Sequence, residues 1–152
     1  MIQRVQSVWL FLAAITLLIL LILPLVTRQA EAGEIWFQIG GIYEKTNTAF
    51  HQVVSQTALF GLTLVTGLLC LVNIFFFKNR DLQKKLIWLI SVFIIGLSVW
   101  AGMAATALPG GLEGASFHVG VGLPVIALIF CALAYRGIRQ DELLIRSADR
   151  LR

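Results

Sequence analysis

The stretch that most limits what this chain can become is Lys78-Asn79-Arg80-Asp81-Leu82-Gln83-Lys84-Lys85, a basic turn with more than twenty apolar-rich residues on either side. Four cations and one anion between two membrane-length segments fix the side of a bilayer on which the turn lies, because cytoplasmic loops collect Lys and Arg. Composition agrees: 59% of residues are hydrophobic and 13% charged, where a soluble domain carries roughly 45–50% and about 25%. The chain therefore reads as an integral membrane protein.

A formal charge of +4 would in a soluble chain suggest nucleic acid or an acidic surface, so the placement of the charges decides. Ten of the twelve cations lie at Arg4, in the basic turn, or beyond Tyr135. Four spans put all of these on one side. With both termini in the cytoplasm the inside holds ten cations and four anions, the outside two and four. The charge reports orientation and calls for no nucleic-acid partner.

Four spans are expected, at about 8–26, 53–77, 86–108 and 117–135. Val8 to Val26 is an apolar run of nineteen residues, enough at about 1.5 Å per residue to cross a hydrocarbon core of about 30 Å, and Pro24 falls in its last turn. A cleaved signal peptide is the competing reading, from Arg4 and the small-x-small Ala30-Glu31-Ala32. The length of the run and the charges of Arg28 and Glu31 weigh against it. In the second span Asn73 should face another helix or reach toward headgroups. In the third, small residues recur four apart, Ser98 with Gly102, Ala101 with Ala105 and Gly102 with Thr106, which lets helix backbones approach closely. Pro109-Gly110-Gly111 makes an outer turn. Pro124 in the fourth span removes a backbone donor, and a kink is expected there.

The outer loop, 27–52, holds Gly40-Gly41 flanked by β-branched and aromatic residues. Two glycines with positive φ would make a type I′ hairpin, with Ile39 facing Ile42, Gln38 facing Tyr43, and Trp36 facing Lys45 within cation–π reach. The other arrangement is an interfacial belt of Trp36, Phe37 and Tyr43. In the tail, 136–152, Arg139, Arg146 and Arg150 share one helical face and Leu144, Ala148 and Leu151 another, while Glu142 precedes Arg146 at the favourable i,i+4 spacing. Such a helix would lie on the anionic inner leaflet, dock on a partner, or extend into solvent.

Little chemistry is encoded. His51 and His118 are the only histidines, near the outer ends of their spans. On facing helices the two could ligate a haem or a metal, but as a pair they lack the further ligands a metal site needs, so interfacial hydrogen bonding is the default and no cofactor is assigned. No carboxylate lies within a span, which disfavours a proton-coupled transporter acting alone. Cys70 and Cys131 sit in apolar runs and read as small packing residues. No phosphate-binding loop and no Ser, His and acid set suggests an enzyme.

The opening Met1-Ile2-Gln3-Arg4-Val5-Gln6-Ser7-Val8-Trp9-Leu10 and the closing Tyr135-Arg136-Gly137-Ile138-Arg139 and Arg146-Ser147-Ala148-Asp149-Arg150-Leu151-Arg152 resemble the ends of a bacterial family, the domain of unknown function 4293. The resemblance covers essentially the whole chain. It implies a four-helix inner-membrane protein and carries no catalytic residues. The fold expected is an all-α antiparallel four-helix membrane bundle with a small outer β-hairpin cap and an amphipathic cytoplasmic helix at the end. Two functions are open: an accessory or scaffold subunit contacting a membrane partner or a second copy of itself, or a binder of a lipid, quinone or other apolar ligand near Pro124 and His118.

Overall fold

Helices form along the apolar runs, and the segments joining them at one end pair into a sheet, in the computed structural model of the chain, which describes residues 3–30, 33–46, 49–77, 79–108, 111 and 114–149. In chain order the elements are α1 (Gln3–Leu20), β1 (Val26–Ala30), β2 (Gly33–Gln38), β3 (Gly41–Thr46), β4 (Ala49–Ser55), α2 (Thr57–Phe75), α3 (Arg80–Thr106), β5 (Ala115–Phe117), a 3₁₀ turn (Val119–Gly122) and α4 (Leu123–Asp149). The helices α2, α3 and α4 are each long and apolar enough to cross a membrane.

Each helix buries one stripe whose members alternate four and three residues apart. In α1 it is Gln6, Leu10, Ala13, Leu17 and Leu20, in α2 Leu59, Thr63, Thr66, Cys70 and Asn73, in α4 Ala127, Cys131, Ala134, Ile138 and Asp141. In α3 it runs from Gln83 through Ile87, Ile90, Ile94 and Leu97 to Ala101 and Ala104. A mean spacing of 3.5 residues keeps a seam on one side of a gently supercoiled helix, as in knobs-into-holes packing. The helices close a ring: α1 packs on α4 and α2, α2 on α3, and α3 more sparingly on α4. Small residues bring the backbones together, Gly67 against Leu17 and Leu18, and Gly137 against Gln6. Thr63 and Thr66 return their hydroxyls to the carbonyls of Leu59 and Leu62, so they bury no unpaired donor. Cys70 and Cys131 are fully buried free thiols that meet inside the bundle.

Three expected boundaries move, all because the sheet is larger than one hairpin. The first helix stops at Leu20 instead of continuing to Val26. Pro24 supplies no N–H and disfavours a helical Leu23, and the amide of Leu25 already donates to Phe37 O at 2.8 Å. Residues 53–55 end β4, so α2 opens at Thr57. The fourth helix opens at Leu123, after the 3₁₀ turn. Pro124 thus lies in a first turn, where its missing N–H has no helical acceptor, and takes the place of the expected kink with a helix start. The tail is not a separate surface helix either: α4 runs unbroken through Gly137 to Asp149, because Ile138 and Asp141 are still packed in the bundle.

The sheet has five antiparallel strands in the order β4-β3-β2-β1-β5. The expected hairpin is present between β2 and β3, but its turn is Ile39 and Gly40, one residue earlier, and each partner shifts by two, so that Phe37 faces Ile42 and Trp36 faces Tyr43. Of the glycine pair only Gly41 has positive φ, +148°, and a Cβ on it would lie 2.2 Å from Val54 O. The glycine serves close approach by β4, not a type I′ turn. Lys45 Nζ nevertheless sits 6.0 Å from the Trp36 ring centroid, now diagonally across the strands. A row of apolar residues, Val54, Ile42, Phe37, Val26 and Phe117, crosses all five strands at opposed positions. Opposed residues share a face. The middle three join the helices in one core, while Val54 and Phe117 at the two edges are exposed.

Replacing Gly41 by Ala is expected to cost about 2 kcal/mol or more, because both its φ and its space are unavailable to a side chain. Gly102→Ala, whose Cβ would meet nothing within 4 Å, should be neutral or stabilising. Unfolding curves of the two variants in micelles check the contrast.

Candidate functional site

Two groups of residues singled out in the sequence come together at the sheet end. Ser98, Ala101, Gly102 and Ala105 of α3 and Pro124 of α4 line a cleft of about 150 Å³ with Leu25, Val26, Phe117 and Val121. The small-residue face divides its work. Ala101 and Ala105 are buried inside the molecule, and Ser98 is half-buried with its hydroxyl donating to Ile94 O at 2.6 Å. Gly102 is exposed and faces outward. The floor of the region depends on another glycine: a Cβ on Gly120 would lie 2.6 Å from Pro24 O, so only glycine lets the 3₁₀ turn rest on the start of β1.

The histidines do not meet. His118, after β5, donates its backbone N–H to Leu25 O at 2.9 Å and places Nε2 2.7 Å from Thr27 Oγ1. That pins β5 and the entry to α4 onto β1. His51 is exposed on β4, opposite Glu44. Since β4 and β5 are the two outer strands, four strand spacings, roughly 19 Å, separate them. Among the described residues no group of three or more His, Cys, Asp or Glu is placed to hold a metal.

The opposite end is organised by polar side chains, and each buried stripe terminates there in one of them. The amide of Gln6 donates to the Asp141 carboxylate, both residues being buried. Asn73 and Gln83 exchange bonds at 3.4 Å, each side-chain amide reaching the other's carbonyl. So Asn73 faces another helix, as its cost in an apolar setting requires. Asn79 caps α3 by accepting from the Leu82 N–H at 3.1 Å. Lys84 bridges to Glu142 at 2.8 Å and to Asp81 at 2.9 Å. Its hydrogen bond to Glu142 first, and that to Asp81 next, hold its pKa above the usual lysine value.

The tail arginines fare unequally. Arg139 is exposed on α4, whereas Arg150 and the side chain of Arg146 lie outside the described residues. Glu142 reaches Lys84 on α3, and its expected pairing with Arg146 along the helix lies outside the described residues. Sequence reading overlooked Gln6 and Asp141, and a signal for them existed: each continues the four-and-three spacing of its helix, one step beyond Leu10 and Ile138. A polar residue in phase with a buried stripe needs a partner on another helix.

Gln6→Leu leaves the Asp141 carboxylate buried without its donor and should cost about 1–3 kcal/mol. Adding Asp141→Leu should restore most of that loss, which a double-mutant cycle by denaturant unfolding measures.

No curated protein matches the chain. Residues 2–151 match the family described as domain of unknown function 4293, and with nearly its whole length covered the chain belongs to that family.

Proposed function

We propose that this protein is a multi-pass component of the bacterial cytoplasmic membrane, without enzymatic activity of its own, that serves as an accessory or scaffold subunit of a larger membrane complex. Both chain ends and the basic turn lie in the cytoplasm, and the sheet caps the outer side. The placement of ten cations and four anions on the turn side, against two and four on the other, supports this orientation. Contact of Gln6 with Asp141 and of Lys84 with Glu142 accords with a shared side for the two ends.

The observation that carries the subunit reading is the exposed Gly102 beside its shallow cleft. A helix face with small residues admits a partner's backbone, and between membrane helices that is where association energy is found. The second reading, an apolar ligand at the same place, is weakened by size: about 150 Å³ is below the ~300–1,000 Å³ of small-molecule pockets. Within the bundle the side chains of Gln6 and Asp141, and of Asn73 and Gln83, tie helices together, which supports a structural part.

Purification from native membranes with a tag at the N-terminus should yield a stoichiometric protein partner, or a homo-oligomer, with Gly102→Leu losing it while folding normally. A monomer carrying a small molecule and no protein would overturn the subunit role. Separately, a cytoplasmic reporter fused after Arg152 should be active, and an extracytoplasmic one silent.

A further inference from the structure

The sparingly packed seam between α3 and α4 opens on its turn-end half into a groove of about 410 Å³, lined mainly by Ile87, Trp88, Val92, Ile95, Leu128 and Tyr135, with Arg136 at its rim. A second hollow of about 370 Å³, bounded by Asp81, Lys84, Lys85, Trp88 and Tyr135, adjoins it. Trp88 and Tyr135 belong to both, so the two form one channel that is apolar along the helices and basic at the mouth. We propose that this channel holds an anionic glycerophospholipid, an acyl chain along α3 and α4 and the phosphate between Lys85 and Arg136. The inference rests on the membrane reading above.

Its size, unlike that of the outer cleft, falls within the ~300–1,000 Å³ of small-molecule sites. Its polarity runs in one direction, from hydrocarbon to cation toward the cytoplasmic face, matching a lipid of the inner leaflet in place. Three cations and one anion line the mouth. Of these Lys84 is engaged by Asp81 and Glu142, whereas Lys85 and Arg136 make no ion pair within 4 Å among the described residues. Two cations without an ion pair among the described residues, beside an apolar groove, are complementary to a phosphodiester on a hydrocarbon tail, and basic pockets between helices on this side bind anionic headgroups. Trp88 and Tyr135 sit at the junction of the two parts, the depth at which their amphipathic rings are favoured. A partner helix in the groove would leave the two cations unanswered.

The test uses the full chain purified in a neutral detergent, with dioleoyl phosphatidylglycerol, dioleoyl phosphatidylcholine and inorganic phosphate as probes, read by native mass spectrometry and thermal unfolding. Wild-type protein should bind and be stabilised by phosphatidylglycerol in preference to phosphatidylcholine, and phosphate alone should do neither. The Lys85→Gln, Arg136→Gln double variant should lose roughly tenfold or more of that preference. Ala132→Trp, which fills the apolar part and leaves the cations, should lose both lipids. Equal binding of the two lipids by the wild type, a shift reproduced by phosphate, or a preference that survives in both variants would each overturn the proposal. The wild-type comparison decides even where a variant does not fold. Beforehand, an alkaline carbonate wash of membranes separates the premises: release of the protein overturns the membrane reading, whereas retention without lipid preference overturns the lipid site alone.

Discussion

The bundle depends on four buried stripes that keep step with one another. When the outward faces of helices are as apolar as the inward ones, hydrophobicity cannot choose a side, and close packing and buried hydrogen bonds must do so. Here the inward side is marked by what is small or polar: Ala13 and Ala14 on α1, Thr63 and Thr66 on α2, Ala101 and Ala104 on α3, Ala127 and Ala134 on α4. Sliding one helix by a turn would part the polar residues that close each stripe. Gln6 with Asp141 registers α1 against α4, and Asn73 with Gln83 registers α2 against α3, much as a single buried amide fixes the register of a coiled coil.

The two ends of the molecule solve the same problem by different means. At the turn end, side chains link the helices and cap the backbone, with Asn79 holding the start of α3. At the far end the chain leaves its helices, and the backbone groups thus freed are paired between strands. The sheet is therefore structural before it is anything else. Its central residues Phe37, Val26 and Ile42 extend the helical core, and the sheet ties α1, α2 and α4 together.

What the sequence made legible follows this division. Four helices, the reversal at the basic turn, and a hairpin near Gly40 could be read because each has a local cause: long apolar runs, a charge cluster, paired glycines. The five-stranded sheet could not, since β1 and β5 have short and unremarkable sequences, Val26–Ala30 and Ala115–Phe117, and become strands only by pairing, β1 with β2 and β5 with β1. The register of β3 against β4 was equally hidden, because the irregularity at Ile42 and Tyr43 is a property of the pair. The helix ends were misplaced for the same reason, as residues 21–26 and 53–55 are apolar enough to be helix and were claimed by strand pairing. Gathering Ser98, Ala101, Gly102, Ala105 and Pro124 at one cleft needed both the third and fourth helices in place. The histidines fell at opposite edges of the sheet because a similar position at the end of an apolar run says nothing about lateral position.

The strand order also constrains how such a molecule can be made. β1 has β2 on one side, its neighbour in the chain, but β5 on the other, and β5 follows α2 and α3. During synthesis the open flank of β1 must wait until two further helices have been laid down. Its unpaired amides and carbonyls are meanwhile a template for any extended segment that drifts near. Only when Phe117 comes to rest opposite Val26 is that flank shut, so the cap is finished only after α2 and α3 have been made, and a ribosome stalled before β5 would leave the molecule with a raw edge.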